Sequence, residues 1–207
     1  MKIGLKVILF AMISVFMMSG NGITGETVKF ILSADPVSFM ISPDIDDFYI
    51  QGSGIREEVD GYTSWTPSIN AGIGFNAGDS VLLDATLGAG WYYGGEVFES
   101  SFVTERLSAR IKLSKVITLG ARLGLIQFDD LEWDGDYGQS NIKFSDSDGY
   151  LAGLSFTAGS DRVSFSLSVE YVKLDDFDVT TTGGWTSSSN SLDLSGTLIN
   201  MGVLFRF

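Results

Sequence analysis

The sequence predicts an all-β chain: eight antiparallel strands wound up-and-down into a closed transmembrane β-barrel. Three observations carry that prediction. Apolar and polar residues alternate with period two in run after run, the connections between runs are by turns short and long, and large aromatics gather at the run ends. The composition agrees, since 25 Gly against 3 Pro suits strands and tight turns better than helices, which glycine weakens.

At the amino terminus Lys2 and Lys6 precede the apolar run Val7 to Met18, which gives way to Ser19, Gly20 and Gly22. A run of about a dozen residues falls short of the roughly 20 that a spanning helix needs, so a secretory signal peptide is expected over 1–22. Apolar alternation follows at Val28, Phe30 and Leu32 and again at Val37, Phe39 and Ile41, broken by Asp35 and Pro36. Each half is too short to cross as a tilted strand of about 9 to 11 residues. Residues 23–46 are therefore expected outside the wall, as a terminal segment or short plug, and 47–207 as the barrel. An extra hairpin, which would make ten strands, is the alternative.

The eight runs follow in order. The first, Phe48 to Arg56, is weak because Gly52 and Gly54 blur its faces, and an acidic connection leads to the second, Ser64 to Phe75, in which Trp65, Ile69, Ala71, Ile73 and Phe75 share one side. Pro67 sits near the start of that run, where a missing ladder donor is tolerable. A tight turn over 76–80 opens the third run, Val81 to Tyr93, whose one side is apolar from Val81 through Trp91 and Tyr93. A longer loop, Gly94 to Ser101, precedes the fourth, Phe102 to Leu113, and Ser114-Lys115 turns the chain into the fifth, Val116 to Phe128. The long acidic stretch Asp129 to Ser147 leads to the sixth, Asp148 to Ala158, and Gly159 to Asp161 to the seventh, where Val163, Phe165, Leu167, Val169 and Tyr171 alternate with Ser164, Ser166, Ser168 and Glu170. Lys173 to Ser191 is the last long loop.

The closing run ends with Ile199, Met201, Val203, Phe205 and Phe207 at every second position. A terminal Phe after such alternation resembles the closing strand and assembly signal of bacterial outer-membrane β-barrels, and the chain from Phe48 to Phe207 resembles the small OmpA-type and porin-like barrel domains. The resemblance implies the bacterial outer membrane as location, short turns and residues 23–46 on the periplasmic side, and long loops outside. It also implies lipid, lipopolysaccharide and the barrel-assembly machinery as partners, for a monomer.

A narrow eight-stranded interior admits small and paired polar groups. The inward charges form the candidate network: Asp84, Arg106, Arg110, Lys112, Arg122, Arg162, Glu170 and Arg206. Antiparallel pairing of the third and fourth runs should bring Asp84 near Arg110. Such a network either fills the lumen structurally or, with six basic residues facing two acidic ones, lines a small anion-preferring passage. Without His or Cys there are no thiol nucleophiles, Ser-His pairs or usual metal ligands, so neither enzyme activity nor a cofactor is expected. Asp130, Glu132, Asp134 and Gly135 have the spacing that opens a calcium loop, but Asn141 stands where its last carboxylate belongs. The formal net charge of -13 argues against nucleic acid as a partner, which requires clustered basic residues. The expected function is a non-enzymatic structural or surface-interaction role for the acidic loops, with a small porin or transporter as the alternative.

Overall fold

Within lipid every backbone N–H and C=O must find a partner in the protein, and a sheet satisfies this only by closing on itself. In the computed structural model, which describes residues 28–45 and 47–207, the wall consists of β1 (Lys29–Ile41), β2 (Ser68–Ala77), β3 (Val81–Gly94), β4 (Phe98–Lys112), β5 (Ile117–Trp133), β6 (Ser147–Gly159), β7 (Val163–Leu174) and β8 (Gly196–Arg206). Each strand pairs antiparallel with the next, and β8 returns to β1 from Ile31↔Arg206 to Ile41↔Thr197. At the seam Phe30 and Phe207 exchange backbone hydrogen bonds of 3.2 and 3.0 Å. The short strand Thr63–Trp65 pairs with the same neighbours as β2, so it prolongs that wall position beyond Pro67, which has no N–H to give.

The first strand corrects the sequence expectation. Residues 29–41 are neither plug nor periplasmic segment but the strand that closes the ring, and the wall has eight strands rather than ten. A β-bulge between Ala34 and Val37 joins the two apolar halves by shifting the outward set from Phe30 and Leu32 to Val37 and Phe39. Without the bulge, the same residues look like two fragments. Conversely, Phe48 to Arg56 is no wall strand. From Tyr49 onward it falls within the hairpin of Tyr49–Gly52 and Ile55–Glu58 in the first long loop, turned by Ser53 and Gly54 at φ 52° and 81°. Two successive positive φ values match the twist of the flanking strands, the usual device of a two-residue hairpin. The connection from β3 to β4 is short, Gly95 to Val97, where the sequence suggests a longer loop. Residues 1–22, the expected signal peptide, lie outside the described residues.

Both described chain ends and the turns after β2, β4 and β6 lie at one rim, and the long loops at the other. The outward face is an apolar band that includes Leu32, Ile69, Leu87, Leu107, Leu119, Leu123, Leu154, Phe165 and Val203. Toward the long-loop rim it carries Trp65, Trp91, Tyr93, Tyr150 and Tyr171, all exposed, as an interfacial girdle requires. Ile199, Met201, Val203, Phe205 and Phe207 lie on this face, with the Phe205 and Phe207 rings 6.5 Å apart. One carboxylate breaks the band. Glu105 stands between Leu87 and Leu125 on neighbouring strands, and its Oε2 is covered without a hydrogen-bond partner among the described residues.

If the band faces lipid, Leu123→Arg in β5 destabilises the barrel by about 2 to 4 kcal/mol near mid-membrane. Urea unfolding in phosphocholine vesicles measures this, and a neutral outcome would contradict the orientation.

Candidate functional site

The lumen is built in two layers. On the half nearer the short turns, inward positions carry Ser, Thr, Asn and charged side chains. Arg110 Nη2 bonds to Asp84 Oδ2, and Arg206 Nη2 lies 3.6 Å from the same carboxylate. This triad has space because Gly74 and Gly120 flank it: a Cβ at Gly74 would stand 2.4 Å from Asp84 Oδ1, and one at Gly120 would stand 2.5 Å from Arg110 Cγ. A second cluster spans the barrel around Glu170, which is fully buried. Arg106 Nη2 and Arg122 Nη1 approach its carboxylate at 3.4 and 3.7 Å, and Asn200 Nδ2 donates to it at 3.1 Å. Arg106 also donates to Asn70 Oδ1 at 2.9 Å, Asn70 donates to Ser33 and Asp35, and Ser38 donates to Asn200 Oδ1 at 2.6 Å. Strands on opposite sides of the ring are thereby tied through its centre.

Six of the eight expected residues, Asp84, Arg106, Arg110, Arg122, Glu170 and Arg206, come together in these clusters. The other two do not. Arg162 is exposed in the turn after β6, and Lys112 sits half-buried at the end of β4 without an ion pair among the described residues. Sequence reasoning misses Asp35, Ser33 and Ser38, because nothing in the period of β1 marks it as wall. Asp35 also alters the charge balance. Four guanidinium groups, Arg106, Arg110, Arg122 and Arg206, face three carboxylates, Asp35, Asp84 and Glu170, rather than six basic residues facing two acidic ones.

Above this layer the same inward parity turns apolar. Phe98 and Phe102 continue the side of Arg106 and Arg110, Ile126 and Phe128 that of Arg122, and Val172 and Leu174 that of Glu170. Ile45, Phe48 and Ile50 of the first long loop, Ile142 beyond β5, and Phe177, Leu192 and Leu194 of the last loop complete one buried cluster. The Phe128 ring is central, with the rings of Tyr92, Phe102 and Phe177 at 5.4, 5.4 and 6.0 Å. Fully burying a side chain such as Phe48 or Phe177 contributes about 1.5 to 3 kcal/mol, so lifting the loops out of the barrel mouth would cost many times thermal energy.

The loops are also tied to one another. Thr186–Ser187 adds to the Tyr49–Gly52 hairpin, and Phe177–Thr181 pairs with Ile142–Phe144 and Ser191–Leu192. Glu57 accepts hydrogen bonds from Trp133 Nε1 at 3.1 Å and from the Asp136 and Tyr137 amides at 2.7 and 3.2 Å. Trp185 covers Gly52 so closely that a Cβ there would lie 2.4 Å from its ring.

Asp84→Ala leaves Arg110 and Arg206 without their shared carboxylate. Thermal or urea unfolding is expected to show a loss of about 3 kcal/mol, while Arg162→Ala at the rim stays within about 0.5 kcal/mol of wild type.

No family model matches the sequence, and neither does any curated protein. Solved structures do resemble it. The outer membrane protein OprG from Pseudomonas aeruginosa superposes with a TM-score of 0.52 at 14% identity, covering 88% of this chain and 97% of that one. Ail of Yersinia pestis, solved with the heparin analogue sucrose octasulfate, gives 0.46 at 12% identity over 87% and 98% of the two chains. Neisserial surface protein A gives 0.43 at 17% identity over 88% and 99%. Closed eight-stranded wall, lipid-compatible exterior and the OprG superposition agree: the chain has the fold of the small bacterial outer-membrane β-barrels.

Proposed function

We propose that the protein is a non-enzymatic outer-membrane barrel whose plugged mouth supports an acidic platform of extracellular loops for contact with molecules at the cell surface. The observation that carries this reading is the buried apolar cluster, which seats three long loops in the barrel mouth above a paired ionic layer. Aliphatic and aromatic side chains packed across a lumen offer hydrated solutes no path, so a scaffold accounts for the interior better than a small porin does. The platform carries exposed Asp60, Asp134, Asp136, Asp175, Asp176 and Asp178 against the exposed cations Arg56, which pairs with Glu58, and Lys143, a predominantly acidic surface suited to cationic groups or to divalent ions shared with neighbouring lipopolysaccharide. The outward residues Ile199, Met201, Val203 and Phe205 of β8, with Phe207 just beyond it, serve lipid contact and recognition by the assembly machinery.

Purified protein in a planar bilayer is expected to give no sustained conductance. Steady ion-selective steps would replace this reading with the porin.

The platform should also respond to acid. Lys173 Nζ bonds to Asp193 Oδ2 at 2.8 Å, and Asp193 Oδ1 accepts from the Ser195 amide at 2.7 Å. Burial opposes the charged form of Asp193, but the bonds from Lys173 and Ser195 outweigh it and hold the carboxyl below its ordinary range. A depressed folded pKa stabilises the loop above the unfolded value of about 4, and the contribution disappears as pH falls through the folded value. The protection of amides over 175–195, taken relative to their intrinsic exchange rates, is therefore expected to fall below about pH 4 in wild type, while Asp193→Asn removes that step.

A further inference from the structure

On the outer wall, where the girdle meets the loops, a cavity of about 520 Å³ combines aromatic rings with unpaired carboxylates. Its lower wall is Phe39, Trp65 and Tyr93, all facing outward. The Trp65 and Tyr93 rings stack at 5.6 Å and 24°, and Trp65 Nε1 donates to Pro36 O at 3.1 Å, which fixes the indole. Its upper rim carries the exposed side chains of Asp60, Glu96 and Asp134, and exposed Glu99 stands directly across from Tyr93 on the neighbouring strand. None of the four has an ion-pair partner among the described residues, and no Lys or Arg lines the cavity.

The rim is held by backbone rather than by charge. The Asp134 amide donates to Val97 O at 2.6 Å and the Asp60 amide to Gly95 O at 3.4 Å. Glu96 occupies the left-handed region at φ 63°, next to Gly95 at 53°, a conformation that a non-glycine residue adopts at a cost. A second, smaller cavity of about 170 Å³ adjoins the first through Tyr93 and Glu99 and repeats its chemistry with Trp91, Asp130 and Glu132. Rings and carboxylates thus lie side by side around part of the rim, Glu99 and Glu132 in the ladder row of Phe39, Trp65 and Tyr93.

We propose that this shelf binds a cationic amphiphile, a single-chain molecule whose ammonium head sits among Asp60, Glu96, Glu99 and Asp134 while its tail lies on Phe39, Trp65 and Tyr93. Two matches select this occupant. Carboxylates at the water boundary with no cation of their own attract positive charge and repel the phosphates of anionic lipid, and stacked electron-rich rings beside them favour an ammonium group and an apolar chain together. A neutral sugar-headed lipid could use the rings but would gain nothing from four carboxylates. The inference rests on the membrane orientation proposed above, with the girdle at the outer boundary.

The test uses the full barrel in phosphatidylcholine vesicles, with flotation and heat-modifiable gel migration confirming insertion in every sample. Tryptophan quenching is followed with a brominated alkyltrimethylammonium, the matching brominated alkyl sulfate and the matching brominated maltoside. The ammonium probe is expected to reach half-saturation at a membrane concentration about tenfold below the other two. The triple variant Glu96→Gln, Glu99→Gln, Asp134→Asn should abolish that preference, and Trp65→Phe should remove most of the quenching. Asp175→Asn, Asp176→Asn and Asp178→Asn, which delete as much charge from the last loop, should leave the preference unchanged. Equal binding of the maltoside would make the cavity an ordinary lipid groove and overturn the proposal. Equal loss in the two triple variants would overturn it by assigning the preference to diffuse surface charge. A sample that fails flotation contradicts the membrane reading instead, which separates the two failures.

Discussion

The structure depends first on pairing every strand edge. A wall of this kind has no stable open form in lipid, because each unpaired backbone group there costs several kcal/mol. The seam between β1 and β8 is therefore the contact on which the rest relies, and its bulge at Asp35 and Pro36 lets a strand with two out-of-phase apolar halves keep one face to lipid throughout. Pro36 at the bulge and Pro67 at the break in the second wall position sit where the ladder is already interrupted, the places a residue without an N–H can occupy.

Closure at eight strands creates the second constraint, a lumen too narrow to leave empty. The chain fills it in two ways. Guanidinium and carboxylate groups bridge across the lower half, with glycines such as Gly74 and Gly120 on the wall giving up the volume those side chains need. Aromatic and aliphatic groups fill the upper half, drawn from both wall and loops. Buried ion pairs gain little over apolar packing, while the loss of one partner is expensive, so the ionic layer makes each of its members costly to remove. The apolar layer anchors the loops: Ile45, Phe48, Phe177 and Leu194 are as buried as residues of a soluble core.

A platform anchored in this way can carry a surplus of like charge. Mutual repulsion among the loop carboxylates would splay free loops, but Glu57 holds the Asp136 and Tyr137 amides, and short strand pairings lace the first, third and last loops together. Charge that remains unpaired then faces outward and sideways toward the aromatic girdle. The outer rim is consequently an acidic, rigid edge above an apolar wall, and recognition there is expected to combine both properties.

The alternation in β3, β5, β7 and β8 is legible in the sequence, because a two-residue period with one wholly apolar face belongs to a strand and not to a helix, and so are the long loops that follow β5 and β7. Asp84 and Arg110 can be expected near each other because antiparallel pairing of β3 and β4 sets their inward faces side by side. The first strand is not legible, since a bulge inverts parity and bulges leave no period of their own. For the same reason Asp35 and Ser38 could not be assigned to the lumen, nor the polar network's true charge balance drawn. The apolar upper lumen is hidden differently: Phe98, Phe102, Ile126 and Phe128 share parity with inward Arg and Gly, so their burial follows only when loops from distant parts of the chain descend onto them. Sequence by itself determined which residues alternate, and hence a barrel, because side-chain direction in a strand is a local property. Tertiary structure alone decided where the ring closes and what fills it, because both depend on contacts between residues as far apart as Ser38 and Asn200.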